Sequence, residues 1–292
     1  MSDLVNQLDQ NAVRRRFNRR ATSFHRAAFI HERCAQTLME RLDLTTLTPR
    51  QILDMGCGTG ILTTMLARKF KRARLSCVDQ SPQMLKQTAK ALPFFARKKL
   101  LQESAEATSV ADASVDLVTA NLLLPWLDAP DALLKEARRV LKADAAFFFT
   151  SIGPGSFGEL REAWSTIDPD GAHVGAFVDM HDLGDALGRA GFTEAVLDVE
   201  RIRVQYNDFE SLWADLRLSA SGNALRNRRK GLSTNSVFAR LAKNYPQSRP
   251  GAPLTVSLEL VFGHAFARPV RDNSDTLSEF GVNIESISRR SS

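Results

Sequence analysis

An α/β architecture is expected from this chain: a mostly parallel, seven-stranded sheet with helices on both faces. Three observations predict it. Short apolar runs alternate with helix-length amphipathic stretches from residue 50 onward. The first run, Ile52-Leu53-Asp54-Met55, passes straight into the glycine-rich turn Gly56-Cys57-Gly58-Thr59-Gly60. A second run, Leu75-Ser76-Cys77-Val78, closes on an acid, Asp79, so strand, loop, helix, strand and acid arrive in the order of a crossover unit.

Ala28, Ile30, Cys34, Leu38 and Leu42 fall at helical spacing and place a helix before the first strand, so residues 1–45 read as an N-terminal helical lid segment. The main domain spans 46–269. Its elements are strand 51–55, helix 60–70, strand 74–79, helix 81–91, strand 99–102, strand 115–120, helix 129–141 and strand 145–151. Ser81-Pro82 starts the second of these helices with a cap and a first-turn proline, and turns Met84 towards the loop. Gly153-Pro154-Gly155 breaks the chain, and Ser156 to Thr166 reads as an added helix bearing Trp164. A helix from His181 ends at Gly191-Phe192, strand 195–199 follows, and Phe209 to Ser219 is helical again. Polar, basic residues 221–235 read as a mobile loop, and Leu254 to Ala267 alternates as the last strand. Helical insertions are therefore expected at about 153–180 and 207–245, and the Ser-rich stretch 270–292 reads as a disordered tail.

Of the 292 residues 43% are hydrophobic and 25% charged, an ordinary globular balance that excludes wholesale disorder. The net charge of +6 is unevenly placed: residues 11–33 hold seven Arg against Glu32 alone, and 201–250 hold ten Lys/Arg against three acids. Such patches are either solvated faces or sites for an acidic partner. Cys34, Cys57 and Cys77 form no paired framework, which fits a reducing cytoplasm. No apolar run is long enough to span a membrane, and the opening residues are too polar for a secretion signal.

The loop carries the chemistry. Glycines let the backbone reach φ > 0 and approach a ligand closely, while the helix after Gly60 points its first amides at that ligand. The spacing is D-x-G-x-G-x-G rather than G-x-G-x-x-G, and no Lys-Ser/Thr pair follows to grip a phosphate. Asp54 would repel a pyrophosphate and suits a cationic ligand. S-adenosylmethionine, with its ammonium and sulfonium, fits, and Asp79 is placed to take a ribose hydroxyl pair.

On these residues the chain resembles the class I methyltransferases, with their Rossmann-like fold. Further stretches resemble one branch, the malonyl-acyl carrier protein O-methyltransferases of biotin synthesis: Val13 to Phe24, Gly155 to Trp164, Phe177 to Leu187, and Gly263-His264-Ala265. Phe24 stands where that family carries an aromatic hydroxyl, which removes a hydrogen bond, and Ser104 stands in Glu103-Ser104-Ala105-Glu106 where methyltransferases place an adenine-binding Asp. The resemblance implies a cofactor set of Asp54, Gly56, Cys57, Gly58, Gly60, Asp79, Gln80, Met84, Ser104, Ala105 and Asn121. Its acceptor would be a malonyl unit on an acidic acyl carrier protein or on coenzyme A.

Displacement at a sulfonium needs alignment and desolvation more than a strong base, and a carboxylate is already ionised at neutral pH. It needs a complementary partner when buried. His173, Arg201 and Arg217 are the candidates, with Phe24 and Trp126 as walls; no catalytic dyad and no metal set is evident. Asn121-Leu122-Leu123-Leu124-Pro125-Trp126 lacks the N/D-P-P-aromatic pattern of base methylases, which argues against nucleic acid. Two other readings stand: a respiratory-complex assembly factor or hydroxylase, from the similar run Asp182 to Phe192, and a methyltransferase with another small-molecule acceptor.

Overall fold

The computed structural model describes residues 8–228, 235–247, 249 and 251–268; the stretch 270–292 lies outside the described residues. Helix α1 (Gln10–Arg20) is capped by Asp9, whose side chain accepts from the Ala12 amide at 2.9 Å. Helix α2 (Phe29–Asp43) leads into strand β1 (Gln51–Met55), followed by α3 (Ile61–Lys69), β2 (Arg74–Val78), α4 (Pro82–Ala91) and β3 (Arg97–Leu101). Strand β4 (Val115–Asn121), helix α5 (Pro130–Val140) and strand β5 (Leu141–Ile152) complete the parallel part. Helices α6 (Gly158–Ile167) and α7 (Met180–Arg189), strand β6 (Thr193–Tyr206), helices α8 (Phe209–Leu218) and α9 (Asn235–Asn244) and strand β7 (Leu254–Phe266) follow.

The strand order is β3-β2-β1-β4-β5-β7-β6, parallel from β3 to β5, with β7 antiparallel to both neighbours. The order reverses between β1 and β4, and the loops leaving their carboxyl ends therefore splay apart and open a crevice. Strand periodicity assigns the two faces. Ile52, Leu75, Leu117 and Phe148 pack with Cys34, Leu38 and Leu42 of α2 and Leu62 and Leu66 of α3, whereas Leu53, Met55, Val118, Phe147 and Phe149 meet α5 and α7. Phe147 and Phe149 stack at 5.1 Å on one face and Phe148 lies on the other. Each such ring contributes about 1.5–3 kcal/mol on burial. A Cβ at Gly263 would stand 2.3 Å from the Phe149 ring, so the partner strand must be bare there.

Two expectations need correction. Strand β6 extends well beyond 195–199, because β7 pairs with it along its length from Thr193 to Tyr206. Asp198, Glu200, Arg201 and Arg203 sit on this edge strand, where charge is normal, and they obscured its pattern. The run 221–228 is a pinned segment rather than a mobile loop: Ala224 and Leu225 are buried, the Asp9 amide donates to the Ala224 carbonyl at 2.8 Å, and Arg228 pairs with Asp9 at 3.0 Å. Residues 229–234 of that expected loop lie outside the described residues, and its end at Asn235 begins α9.

Candidate functional site

Two adjoining cavities open at the β1–β4 crevice. The first is bounded by the β1–α3 loop, the ends of β2 and β4, Glu103, Ala105 and α1. Gly56 has φ +67° and a Cβ there would stand 2.7 Å from the Leu123 side chain; Gly60 has φ +84° and its Cβ would stand 3.1 Å from the Thr88 Cα, a backbone atom that cannot rotate away. Thr88 also fixes the loop directly, donating to the Gly58 carbonyl at 2.7 Å.

Asp54, which is buried, and Asp79, which is half-buried, are the acids that hold the loop. The Asp54 carboxylate accepts from the hydroxyls of Thr63 and, at 2.9 Å, Thr119. Asp79 accepts from the amides of Gly58 at 3.0 Å and Ser81 at 2.8 Å. Burial pushes both carboxyls up to about 6, against the opposing pull of these hydrogen bonds. Above that pH both present negative charge to the cavity, as a cationic ligand with a sugar hydroxyl pair requires.

The first cavity gathers most of the expected cofactor residues: Asp54, Gly56, Cys57, Gly58, Asp79, Gln80, Met84, Ala105 and Asn121 line it. Gly60 shapes the loop through its φ and its contact with Thr88. Ser104 is not on the wall; its hydroxyl accepts from the Gln80 side-chain amide at 3.5 Å and from the Glu106 amide at 3.3 Å, and its neighbours Glu103 and Ala105 face the cavity instead. Gln10, Val13, Arg14 and Phe17 add a wall from α1, which periodicity alone did not assign. Asn18 anchors that helix by accepting from the Ser81 hydroxyl at 3.1 Å and the Gln83 amide at 3.2 Å.

His31, Leu122 and Trp126 line both cavities and so mark the passage between them. Leu122 holds a left-handed backbone, φ +54°, with its amide donating to the Thr150 hydroxyl at 2.9 Å; such strain persists only where surrounding bonds enforce it. The Asn121 side chain is held by the same hydroxyl and donates to the His31 carbonyl at 2.9 Å. The His31 Nδ1 is buried without a hydrogen-bond partner, and burial lowers its pKa to about 4, so the imidazole is neutral at physiological pH. Phe24 lies edge-on to it at 4.8 Å. Sequence reasoning missed His31; its place at the start of α2 beside Phe29 and Ile30 looks like a helix surface until the sheet is assembled.

The second cavity is largely apolar, walled by Phe29, Ile30, Phe157, Leu160, Phe177, Leu212 and Leu258, with His173, Tyr206, Asp215 and Asn223 among its few polar groups. His173 stacks on Trp164 at 3.6 Å and bonds Asp168 through Nε2 at 2.8 Å. The two expected arginines are not brought here. Arg201 is exposed on β6 and pairs with Glu259 at 3.0 Å, and Arg217 lies on a separate cavity formed by α1, α6, α8 and α9.

Among the described residues no helix is long and apolar enough to cross a membrane, and no group of three or more His, Cys, Asp or Glu could hold a metal. A family model described as a methyltransferase domain matches residues 53–149. The malonyl-acyl carrier protein O-methyltransferase of Laribacter hongkongensis is 37% identical over 278 residues, covering 91% of this chain and 93% of its own. The enzyme of that name from Methylovorus is 34% identical over 90% and 91% of the two chains. In shape the chain is similar to the YcgJ protein of Bacillus subtilis, with TM-score 0.57 at 13% identity over 80% of this chain and 98% of that one. It is also similar to phosphoethanolamine N-methyltransferase 2 of Haemonchus contortus, solved with S-adenosylhomocysteine, with TM-score 0.50 at 17% identity over 80% and 52%.

Proposed function

Since this chain belongs to the malonyl-acyl carrier protein O-methyltransferases, we propose that it moves the methyl group of S-adenosylmethionine to the free carboxylate of a malonyl thioester, an early step of biotin synthesis. The observation that carries this reading is the pair of adjoining cavities: one holds the glycine loop with Asp54 and Asp79, the other is walled mainly by aromatic and aliphatic side chains, and they meet at His31, Leu122 and Trp126.

The geometry supports the following residues for the donor. Asp79 takes the ribose hydroxyls with the lone pairs that the Gly58 and Ser81 amides leave free. Asp54, beneath the loop, supplies negative charge towards the ammonium. Gln80, Met84, Glu103 and Ala105 form the wall for the adenine, Asn121 and Leu122 the wall near the sulfonium, and Ser104 supports Gln80 from behind.

The donor supplies an electrophilic methyl group. The chain's own part is to align and dry the carboxylate, for which no proton need be removed. A carboxylate entering an apolar cavity is costly without a partner. His31 stands where the cavities meet, and as a neutral imidazole it donates a hydrogen bond without the full positive charge that would hold the attacking oxygen's electrons. His173, fixed against Trp164, and Trp126 shape the far wall and the passage. Phe24 fills the place of a phenol with a ring that packs on Phe17 and on His31, so positioning there is by shape. Family membership favours this chemistry over a respiratory assembly role.

The reading is tested by complementation. A strain lacking its carboxyl-methylating enzyme and requiring biotin should grow without it when given the wild-type gene, and should still require it when given Asp79→Asn. Growth supported equally by both genes contradicts the assigned donor site.

A further inference from the structure

Beside the acceptor cavity lies a third, enclosing about 1710 Å³ with its open mouth, which the reaction just described leaves without a role. Arginines from several elements converge on it: Arg16, Arg19 and Arg20 of α1, Arg217 of α8, Arg228 and Arg240. Its inner side is aromatic, with Trp164, Trp213 and Phe238, the last two 4.9 Å apart. Among the described residues Asp168 is the one acid on its wall, and His173 already bonds that carboxylate.

Arg16 is the informative member. Its Nη1 is buried with no hydrogen-bond partner, although Arg228 close by is paired with Asp9. The backbone leaves room for it: a Cβ at Gly222 would stand 3.1 Å from that nitrogen. Burial, and the positive charges of Arg228 and Arg19, lower its pKa below the ordinary guanidinium value. A sealed guanidinium N–H without an acceptor, facing like charges, is unfavourable until an anion arrives. Phosphate suits this best, since guanidinium groups bind it through paired N–H donors. The cavity shares Leu160, His173, Leu216 and Asn223 with the acceptor cavity, so the two adjoin.

We propose that this arginine basin is a phosphate subsite, which takes the phosphodiester of a carrier protein's phosphopantetheine arm while the malonyl end of that arm lies in the acceptor cavity. The assignment rests on the carboxyl-methylation reading and adds to it the point where the arm is gripped. It also gives Arg217 a role different from pairing with the malonyl carboxylate.

Initial rates with malonyl-carrier, malonyl-CoA and malonyl-pantetheine, which lacks the phosphate, test it in wild type, Arg16→Gln and Arg217→Gln. Each variant should raise KM for malonyl-carrier about tenfold, the loss of one charge-assisted contact, and raise KM for malonyl-pantetheine less than about twofold. Equal effects on malonyl-carrier and malonyl-pantetheine overturn the subsite. A lower KM for malonyl-carrier than for malonyl-CoA supports the carrier as the source of the phosphate, and the reverse order overturns that part. Calorimetry with phosphopantetheine and pantetheine gives a readout independent of methyl transfer. Tighter binding of the phosphorylated arm by wild type, abolished in Arg217→Gln, supports the subsite even if no ester forms and the methylation reading itself fails; equal binding of the two arms overturns it.

Discussion

Replacing Asp79 by Asn separates fold from donor binding. The native carboxylate accepts the Gly58 and Ser81 amides. Burial pushes its pKa from 3.8 to about 6, so holding it ionised at pH 8 costs about 3 kcal/mol, at about 1.4 kcal/mol for each unit. Asparagine removes that cost. It also exchanges one acceptor oxygen for an N–H that opposes a backbone amide, a loss of about 1.5–3 kcal/mol for a hydrogen bond to a charged group. The two effects nearly cancel, and urea unfolding at pH 8 should place Asp79→Asn within about 2 kcal/mol of wild type. Donor affinity has no such compensation. The ribose hydroxyls lose at least one charge-assisted bond, about 1.5–3 kcal/mol or roughly 10- to 150-fold in Kd. Titration calorimetry with S-adenosylhomocysteine, which does not react, measures this. A folded Asp79→Asn protein that binds within threefold of wild type, a difference under about 0.7 kcal/mol, would refute the assignment of Asp79 to the donor.

The pKa values of Asp54 and Asp79, both raised to about 6, give signed pH effects. Their contribution to stability of the free protein is fully present below pH 3.8, the unfolded value, and is lost as pH rises through about 6; donor affinity runs the other way, rising through the same window, and calorimetry between pH 5 and 8 showing a flat Kd would contradict the ionised site. Gly60→Ala forces a side chain onto left-handed backbone against the fixed Thr88 Cα, so it should lower stability by about 1–3 kcal/mol and weaken donor binding more than tenfold; both can be followed by thermal shift with and without donor. His31→Leu removes a buried unpaired nitrogen and should stabilise the fold by about 1 kcal/mol while lowering kcat at least about tenfold, and steady-state kinetics beside urea unfolding would show whether these move in opposite directions. Arg201→Ala should lower thermal stability, because it leaves the buried Glu259 carboxylate without its ion pair, and leave KM and kcat for malonyl-carrier within twofold, since Arg201 lies outside both cavities.

The parallel half of the fold was legible because its information is local. The spacing of Gly56, Gly58 and Gly60 after an apolar strand, with Asp79 ending the next one, leaves few backbone solutions, and the loop holds φ values of +67°, +56° and +84° at the three glycines. What escaped depends on distant contacts. His31 becomes part of a site only when α2 lies across β4 and Asn121 grips its carbonyl. Strand β6 hides behind the charges of an edge, and its pairing with β7 joins residues far apart in sequence. Arg201 and Arg217 match a carboxylate by charge type, but charge type does not reveal direction: one faces Glu259 on the sheet edge, the other a cavity behind the acceptor site. Ser104 illustrates the same limit on a smaller scale, since a shift of one residue in the turn after β3 presents Ala105 and Glu103 to the cavity instead.

In the proposed reaction the donor cavity and the apolar cavity bring a sulfonium and a malonyl carboxylate together. Incubation of the purified protein with methyl-labelled S-adenosylmethionine and malonyl-carrier measures it most directly, with acetyl-carrier, which has no free carboxyl group, alongside. Label should enter malonyl-carrier as a base-labile ester and should be absent from acetyl-carrier. Donor binding without any esterified malonyl-carrier, or equal labelling of the two carriers, would contradict the account.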